Sequence, residues 1–173
     1  NETIYTYDSI CRLTKIQYED SSAVSFTYDL NSNRTRMDDN SPGIGDYAEY
    51  HYDYWNRLIS TTRHISQSNY TVSYRYDTAN RMTALTYPDT MEISYSYDDL
   101  NRVTEIKRYV EGSNDEILLG NIQYDAEGLI TQFDYGNDMR ATLSYDSRDR
   151  LSMFDVRNGE TSFLDLNYTY DYN

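Results

Sequence analysis

Polar and apolar residues alternate with a period of two in short stretches along the chain, and each stretch ends on the same marker, a Tyr-Asp pair. The pairs are Tyr7-Asp8, Tyr28-Asp29, Tyr52-Asp53, Tyr76-Asp77, Tyr97-Asp98, Tyr124-Asp125, Tyr145-Asp146 and Tyr170-Asp171. Their spacings of 21, 24, 24, 21, 27, 21 and 25 residues define seven complete repeats and the start of an eighth, one array over residues 1–173. Counting each Tyr as position 0, position −2 is apolar or aromatic all eight times: Tyr5, Phe26, Tyr50, Tyr74, Tyr95, Ile122, Leu143 and Tyr168. Positions −3 and −1 are mostly polar, so each stretch is a strand with one apolar face. No stretch carries the 3.6-residue period of a helix.

Three variable residues after each pair lead to Arg at +5 in five of seven repeats: Arg12, Arg57, Arg81, Arg102 and Arg150. The second repeat has Asn33 there, followed by Arg34, and the sixth has Leu129. Position +4 reads Cys11, Ser32, Asn56, Asn80, Asn101, Gly128 and Asp149, and five of these are types that tolerate positive φ. A four-residue hairpin loop over +1 to +4 is expected, with positive φ at Asn56, Asn80, Asn101, Gly128 and Asp149 and the Asp accepting backbone N–H bonds. That loop sets 0 against +5, −2 against +7 and −4 against +9. On this register the smallest −4 residues, Gly120 and Ala141, face Phe133 and Phe154 within their own hairpins, and each +5 Arg lies opposite its own Tyr, placed to stack on it and pair with the Asp.

The three 21-residue repeats carry Tyr at +11 followed by turn formers: Tyr18-Glu19-Asp20-Ser21, Tyr87-Pro88-Asp89-Thr90 and Tyr135-Gly136-Asn137-Asp138. The longer repeats place their extra residues in polar tips at 38–46, 64–69 and 111–116 and at the Asn158-Gly159 turn. The sum is an all-β, antiparallel up-and-down array of about 14 or 15 strands. At ~4.8 Å per strand, 14 strands span about 67 Å, beyond the ~10 strands that an open twisted sheet sustains without curling or splitting. Closed into one turn, that width gives a diameter of about 21 Å, twice the ~10 Å that two facing layers fill, so a full turn is expected to be hollow. The outermost strands, near Thr3 to Tyr7 and Leu166 to Tyr170, are expected to expose unpaired edges and to recruit other chains.

Composition fits a wall with little shared core. Adding the seven glycines to the 38% apolar fraction gives about 42%, a little under the roughly 45 to 50% of ordinary globular domains, while Tyr occurs 21 times and supplies area in its rings. Twenty-nine acidic residues against 15 basic give a net charge of −14, which repels a phosphate backbone and argues against nucleic acid or an anionic membrane; a cationic partner is compatible. The single cysteine, Cys11, excludes an internal disulfide and a four-Cys zinc site, and no apolar run approaches the ~20 residues of a membrane helix.

Few residues invite chemistry. The carboxylates suggest a glycosidase, yet eight are the turn Asp and most others lie at loop tips, where a solvated rim is the plainer account. His51 and His64 stand 13 residues apart without a third ligand. Asp38, Asn40, Gly43, Asp46 and Glu49 occupy positions 1, 3, 6, 9 and 12 of a calcium loop, but Pro42 stands where a side-chain oxygen is needed, so a polar connector is the simpler reading. Repetition makes the Tyr, Asp and Arg positions a structural ladder before a ligand site. A Tyr face that stacks sugars is the alternative.

The unit Tyr, any residue, Tyr, Asp, two of any, Gly or Asn, Arg and Leu resembles the YD repeat of RHS-repeat proteins. The best matches are Tyr95-Ser96-Tyr97-Asp98-Asp99-Leu100-Asn101-Arg102-Val103 and Tyr74-Arg75-Tyr76-Asp77-Thr78-Ala79-Asn80-Arg81-Met82. Asn33-Arg34-Thr35 and Tyr87-Pro88-Asp89 also resemble family variants and links, and the likeness runs over essentially the whole chain. The resemblance implies a ribbon of hairpins spiralling into a hollow shell. In RHS toxins and the C components of insecticidal toxin complexes such a shell encloses a C-terminal toxic domain, and in teneurins a similar barrel belongs to an adhesion ectodomain. The Pro- and Gly-containing self-cleavage motif that follows the repeats in the family is absent, so the chain reads as a segment of a longer array, with no catalytic residue carried over and no cofactor implied. The expected partners are the rest of its own shell and an enclosed C-terminal domain, in a secreted or cell-surface protein.

Overall fold

Every repeat turns in the same way. The Asp amide donates to the carbonyl at +5, and the +4 amide donates back to the Asp carbonyl, in all seven repeats at 2.8 to 3.3 Å. The residue at +4 carries positive φ in each: Cys11 (64°), Ser32 (69°), Asn56 (61°), Asn80 (65°), Asn101 (64°), Gly128 (90°) and Asp149 (59°). Five of these are the expected positions, and Cys11 and Ser32 adopt the same backbone despite their types. The Asp Oδ1 accepts the +5 amide in every repeat and the +3 amide in six, so one carboxylate oxygen fixes the loop.

A computed structural model describes residues 2–40 and 45–171. Fifteen strands follow one another in chain order in a single antiparallel sheet, as the alternation predicts, with no helix among the described residues. They are β1 (Ile4–Tyr7), β2 (Leu13–Gln17), β3 (Ala23–Tyr28), β4 (Arg34–Asp39), β5 (Tyr47–Tyr52), β6 (Leu58–Ile65), β7 (Ser68–Tyr76), β8 (Met82–Thr86), β9 (Glu92–Tyr97), β10 (Val103–Arg108), β11 (Glu116–Tyr124), β12 (Ile130–Tyr135), β13 (Arg140–Tyr145), β14 (Leu151–Asn158) and β15 (Thr161–Asn167). Their internal contacts divide the chain into two compact units, Asn1–Arg75 with Leu85–Thr90, and Tyr76–Ala84 with Met91–Asn173.

The register differs from the one expected. Position 0 pairs with +6, as in Tyr7 with Leu13, Tyr52 with Leu58 and Tyr97 with Val103, and position −1 then pairs with +8. Two residues are thus inserted relative to a simple four-residue loop. One lies in the turn, where five residues rather than four separate the partners 0 and +6, and the other is +7, a bulge residue with no partner of its own. The hydroxyls at +7 are consequently free to reach across: Thr14 Oγ1 donates to the Thr6 carbonyl at 3.2 Å, and the Thr27 and Thr35 hydroxyls lie 3.1 Å apart. The −2 residue therefore faces +9 in its own hairpin, as Phe26 faces Met37 and Leu143 faces Phe154. Small-against-large pairing exists but lies across the links, where Ala48 meets Met37 and Ala141 meets Phe133.

The short links repeat the hairpin geometry, with positive φ at Ser21, Thr90 and Asp138. At Gly136 the backbone runs so close to the start of β11 that a Cβ would lie 1.8 Å from the Ile117 carbonyl oxygen, so this Gly is a steric requirement. The tip expected at 64–69 is shorter, because β6 and β7 continue to a two-residue turn at Ser66 and Gln67, both with positive φ. The last strand expected to reach Tyr170 stops at Asn167, since β15 is paired on one side only. What is buried is small: Ala23 and Ala48 in the first unit, and Ala84, Ile93, Ile122, Ala141 and Val156 in the second, with no large side chain fully buried among the described residues.

Thr90 is β-branched yet held at φ 71°, a conformation that costs an L-residue about 1 to 2 kcal/mol. Thr90→Asn keeps a side chain and tolerates that backbone. It should raise the urea-unfolding free energy by about 1 kcal/mol, and an unchanged or lower midpoint would show that the strain is relieved elsewhere.

Candidate functional site

The Tyr-Asp-Arg constellation is assembled between successive repeats as well as within them. In each Arg-bearing repeat the +5 guanidinium donates from Nε to Oδ2 of its own Asp, at 2.7 Å for Arg12 and Asp8, 2.6 Å for Arg57 and Asp53, 2.7 Å for Arg81 and Asp77, 2.8 Å for Arg102 and Asp98, and 2.7 Å for Arg150 and Asp146. The stacking partner differs from the one expected: in four of the five the guanidinium lies over the Tyr of the next repeat, and Arg57 lies over Trp55 of its own turn at 4.9 Å. Arg12 sits over Tyr28 at 4.7 Å, Arg81 over Tyr97 at 4.9 Å, Arg102 over Tyr124 at 4.5 Å and Arg150 over Tyr170 at 4.3 Å. The extra turn residue sets +6, not +5, opposite the Tyr and so moves the Arg off its own ring.

The remaining donors complete the link. Arg12, Arg81 and Arg102 donate from Nη1 to the backbone carbonyls of Asp29, Asp98 and Asp125, the next Asp in the series. In return the next Tyr hydroxyl donates to the +6 carbonyl behind it: Tyr28 to Leu13, Tyr52 to Arg34, Tyr97 to Met82, Tyr124 to Val103, Tyr145 to Ile130 and Tyr170 to Leu151, at 2.6 to 3.0 Å. Burial raises the Tyr52, Tyr97, Tyr124 and Tyr145 phenols above their ordinary value, which keeps them donors. Where Asn33 replaces Arg, its amide holds Asp29 at 2.9 Å and Asn56 at 2.8 Å, and Arg34 lies over Tyr50.

The calcium-loop candidates are held by other protein groups. Asp38 and Glu49 both bind Arg36, which lies 3.7 Å over the Tyr47 ring, and Glu49 also contacts His64 at 3.2 Å. Asn40 donates to Ser25, and Asp46 accepts the Ser66 amide. Pro42 and Gly43 lie outside the described residues, among which no three His, Cys, Asp or Glu form a metal-binding group. His64 stacks on Tyr47 at 3.9 Å. The Arg36, Tyr47 and His64 stack was missed in the sequence, and it becomes legible only on the true register, which sets Arg36 against Glu49 and Tyr47 against His64.

The repeat carboxylates are acid-shifted. Asp8, Asp77 and Asp98 are lowered first by the backbone N–H of the +5 Arg and then by its guanidinium. Asp146 is lowered from 3.8 to about 2, chiefly by the Arg150 guanidinium. Because the folded value is the lower one, this contribution is complete above the ordinary value of 3.8 and is lost as pH falls from there toward about 2.

No family model matches the chain, and no curated protein matches it by sequence. Solved structures do. The TcdB2-TccC3-Cdc42 crystal structure aligns over 98% of this chain and 12% of its own, at a TM-score of 0.58 and 13% identity. The Tc holotoxin pore of Photorhabdus luminescens aligns over 98% and 12%, at 0.56 and 12% identity. TcdB2-TccC3 aligns over the same shares at 0.58 and 13%. At such identity the likeness is one of fold, and this chain spans about an eighth of the length of those toxin chains.

In urea unfolding between pH 5 and pH 2, Asp146→Asn should be less stable than the unsubstituted chain at pH 5, and the two should converge as pH approaches 2. A difference independent of pH would mean that the Asp146–Arg150 pair is not the acid-labile element.

Proposed function

We propose that this chain is a non-catalytic segment of a YD-repeat shell wall, part of a longer array that encloses a C-terminal toxin or effector domain of the same polypeptide. The observation that carries the reading is the use made of the repeated polar residues. Asp fixes its own turn, Arg reaches the next repeat, and Tyr reaches back, so the residues that could do chemistry are committed to joining hairpins. The fold likeness to TcdB2-TccC3 supports the same reading. A wall of this kind works in a secreted or cell-surface protein, with the neighbouring parts of its own shell as its first partners.

A second reading, an adhesive or glycan-binding module, rests on the exposed apolar residues at the turn tips. Ile10, Leu30, Tyr54 and Trp55 stand on the first three turns, with Tyr54 92% and Trp55 67% exposed. In a shell these tips meet other wall segments; in an adhesin they meet a ligand.

Limited proteolysis of the full-length protein separates the two. The segment that follows the repeats should survive far longer in the intact protein than when expressed alone. Equal digestion rates would remove enclosure and leave the adhesive reading.

The outer strands carry their own expectation. β1 exposes Ile4, Tyr5 and Tyr7, and β15 exposes Phe163, Leu164 and Leu166, on edges that no strand among the described residues covers. Sedimentation equilibrium of the 173-residue chain should show concentration-dependent self-association, weakened by Leu164→Lys. A strictly monomeric species up to millimolar concentration would contradict it.

A further inference from the structure

The seventh repeat contains a carboxylate whose counterpart one repeat earlier shows what it lacks. Asp134 and Asp155 both occupy position +10. Asp134 is fully engaged: Arg140 donates from Nε to Oδ1 at 2.6 Å and from Nη2 to Oδ2 at 3.0 Å, and Asn121 donates to Oδ2 at 2.7 Å. Asp155 receives only Arg157 Nε on Oδ2, at 2.6 Å. Its side chain is 10% exposed, and its Oδ1 is buried with no hydrogen-bond partner. Such an atom is costly to bury unless something donates to it.

The sheet register explains the difference. Arg140 stands directly opposite Asp134 at position −5 of the following repeat. The residue directly opposite Asp155, also at −5 of its repeat, is Asp165. A carboxylate therefore stands where the preceding repeat has a guanidinium, and like charges face each other across two strands; Arg157 is the cation beside both, and it reaches Asp155 through Oδ2 alone. Asp155 also lines a cavity of about 580 Å³ on the second unit, whose charged lining is four carboxylates against two guanidiniums. Gly120, against which the Ile117 side chain packs, is part of its wall, and Ile117 and Tyr135 supply apolar surface.

We propose that this cavity is a binding site for an arginine side chain from another polypeptide segment, its guanidinium donating to Asp155 Oδ1 beside Asp165 and its aliphatic stem lying against Ile117 and Tyr135. The incoming guanidinium reproduces at Asp155 what Arg140 does at Asp134. A guanidinium suits the site better than a compact ammonium because its planar fork serves two carboxylates at once. The site does not depend on the shell reading, since it is defined by residues of the second unit alone.

The test uses the 173-residue chain, with N-acetyl-arginine N-methylamide as the probe and its neutral citrulline counterpart as the isostere, followed by ¹H–¹⁵N NMR. The arginine probe should give saturable shifts at Thr142, Asp155 and Arg157, the citrulline probe none, and Asp155→Asn should weaken binding at least tenfold. Asp165→Arg should supply the missing group internally, abolishing probe binding and raising the melting temperature by about 2 to 4 °C. Asp99→Arg, the same change of charge at an exposed turn residue, should leave both as they were. Absence of saturable shifts, equal binding of the citrulline probe, binding of methyl glycosides at these residues in place of the arginine probe, or an Asp165→Arg variant no more stable than its parent would each overturn the assignment.

Discussion

The structure depends on a guanidinium that serves two repeats at once. Held by its own Asp, the +5 Arg has one edge left over, and that edge and its face are spent on the next repeat: the carbonyl beside the next Asp and the ring of the next Tyr. The Asp is itself fixed by the turn amides, so turn and link share one anchor. This explains how a sheet with so few buried large side chains is held together. Where an ordinary domain buries leucine and phenylalanine against a second layer, this one half-buries tyrosine against arginine within a single layer, and charge-assisted hydrogen bonds carry what packing does elsewhere.

Fold class was legible because the period-2 alternation and the recurrence of Tyr-Asp are local signals, and local signals survive in the sequence. Turn conformation was legible for the same reason, down to the αL residue. Register was not. A bulge at +7 leaves no mark in residue type, because Thr there is as suited to a paired strand position as to a bulge. That bulge shifted the partners beyond it, while a fifth residue in the turn set +6 rather than +5 opposite the Tyr and so turned the inter-repeat stack into an apparent pairing within the repeat. The small-to-large complementarity was a real signal attached to the wrong pair of strands. Glu49 was likewise legible as an acidic residue near a turn, but its partners, Arg36 and His64, are set by register alone, whereas Asp38 pairs with Arg36 two residues earlier on the same strand.

The irregular repeats carry the individuality of the chain. In the sixth, Leu129 replaces Arg at +5, Asn121 takes positive φ within β11, and the pairing between β11 and β12 shifts twice. The cavity opens beside these departures, lined by Gly120 and Asn121. Sites in such an array arise where one member breaks the rule that its neighbours keep.

The link between repeats has a direction. Arg12, Arg81, Arg102 and Arg150 reach toward the C-terminus and six tyrosine hydroxyls reach back, so the ladder is polar in the way a filament is, with unlike ends. A nascent chain leaving the ribosome N-terminus first would expose each new tyrosine to a hairpin already closed, with its arginine already clamped and its +6 carbonyl already in place. Every step adds one strand pair to a finished template and requires no contact distant in sequence. The array is therefore suited to being laid down one hairpin at a time, in the order of translation.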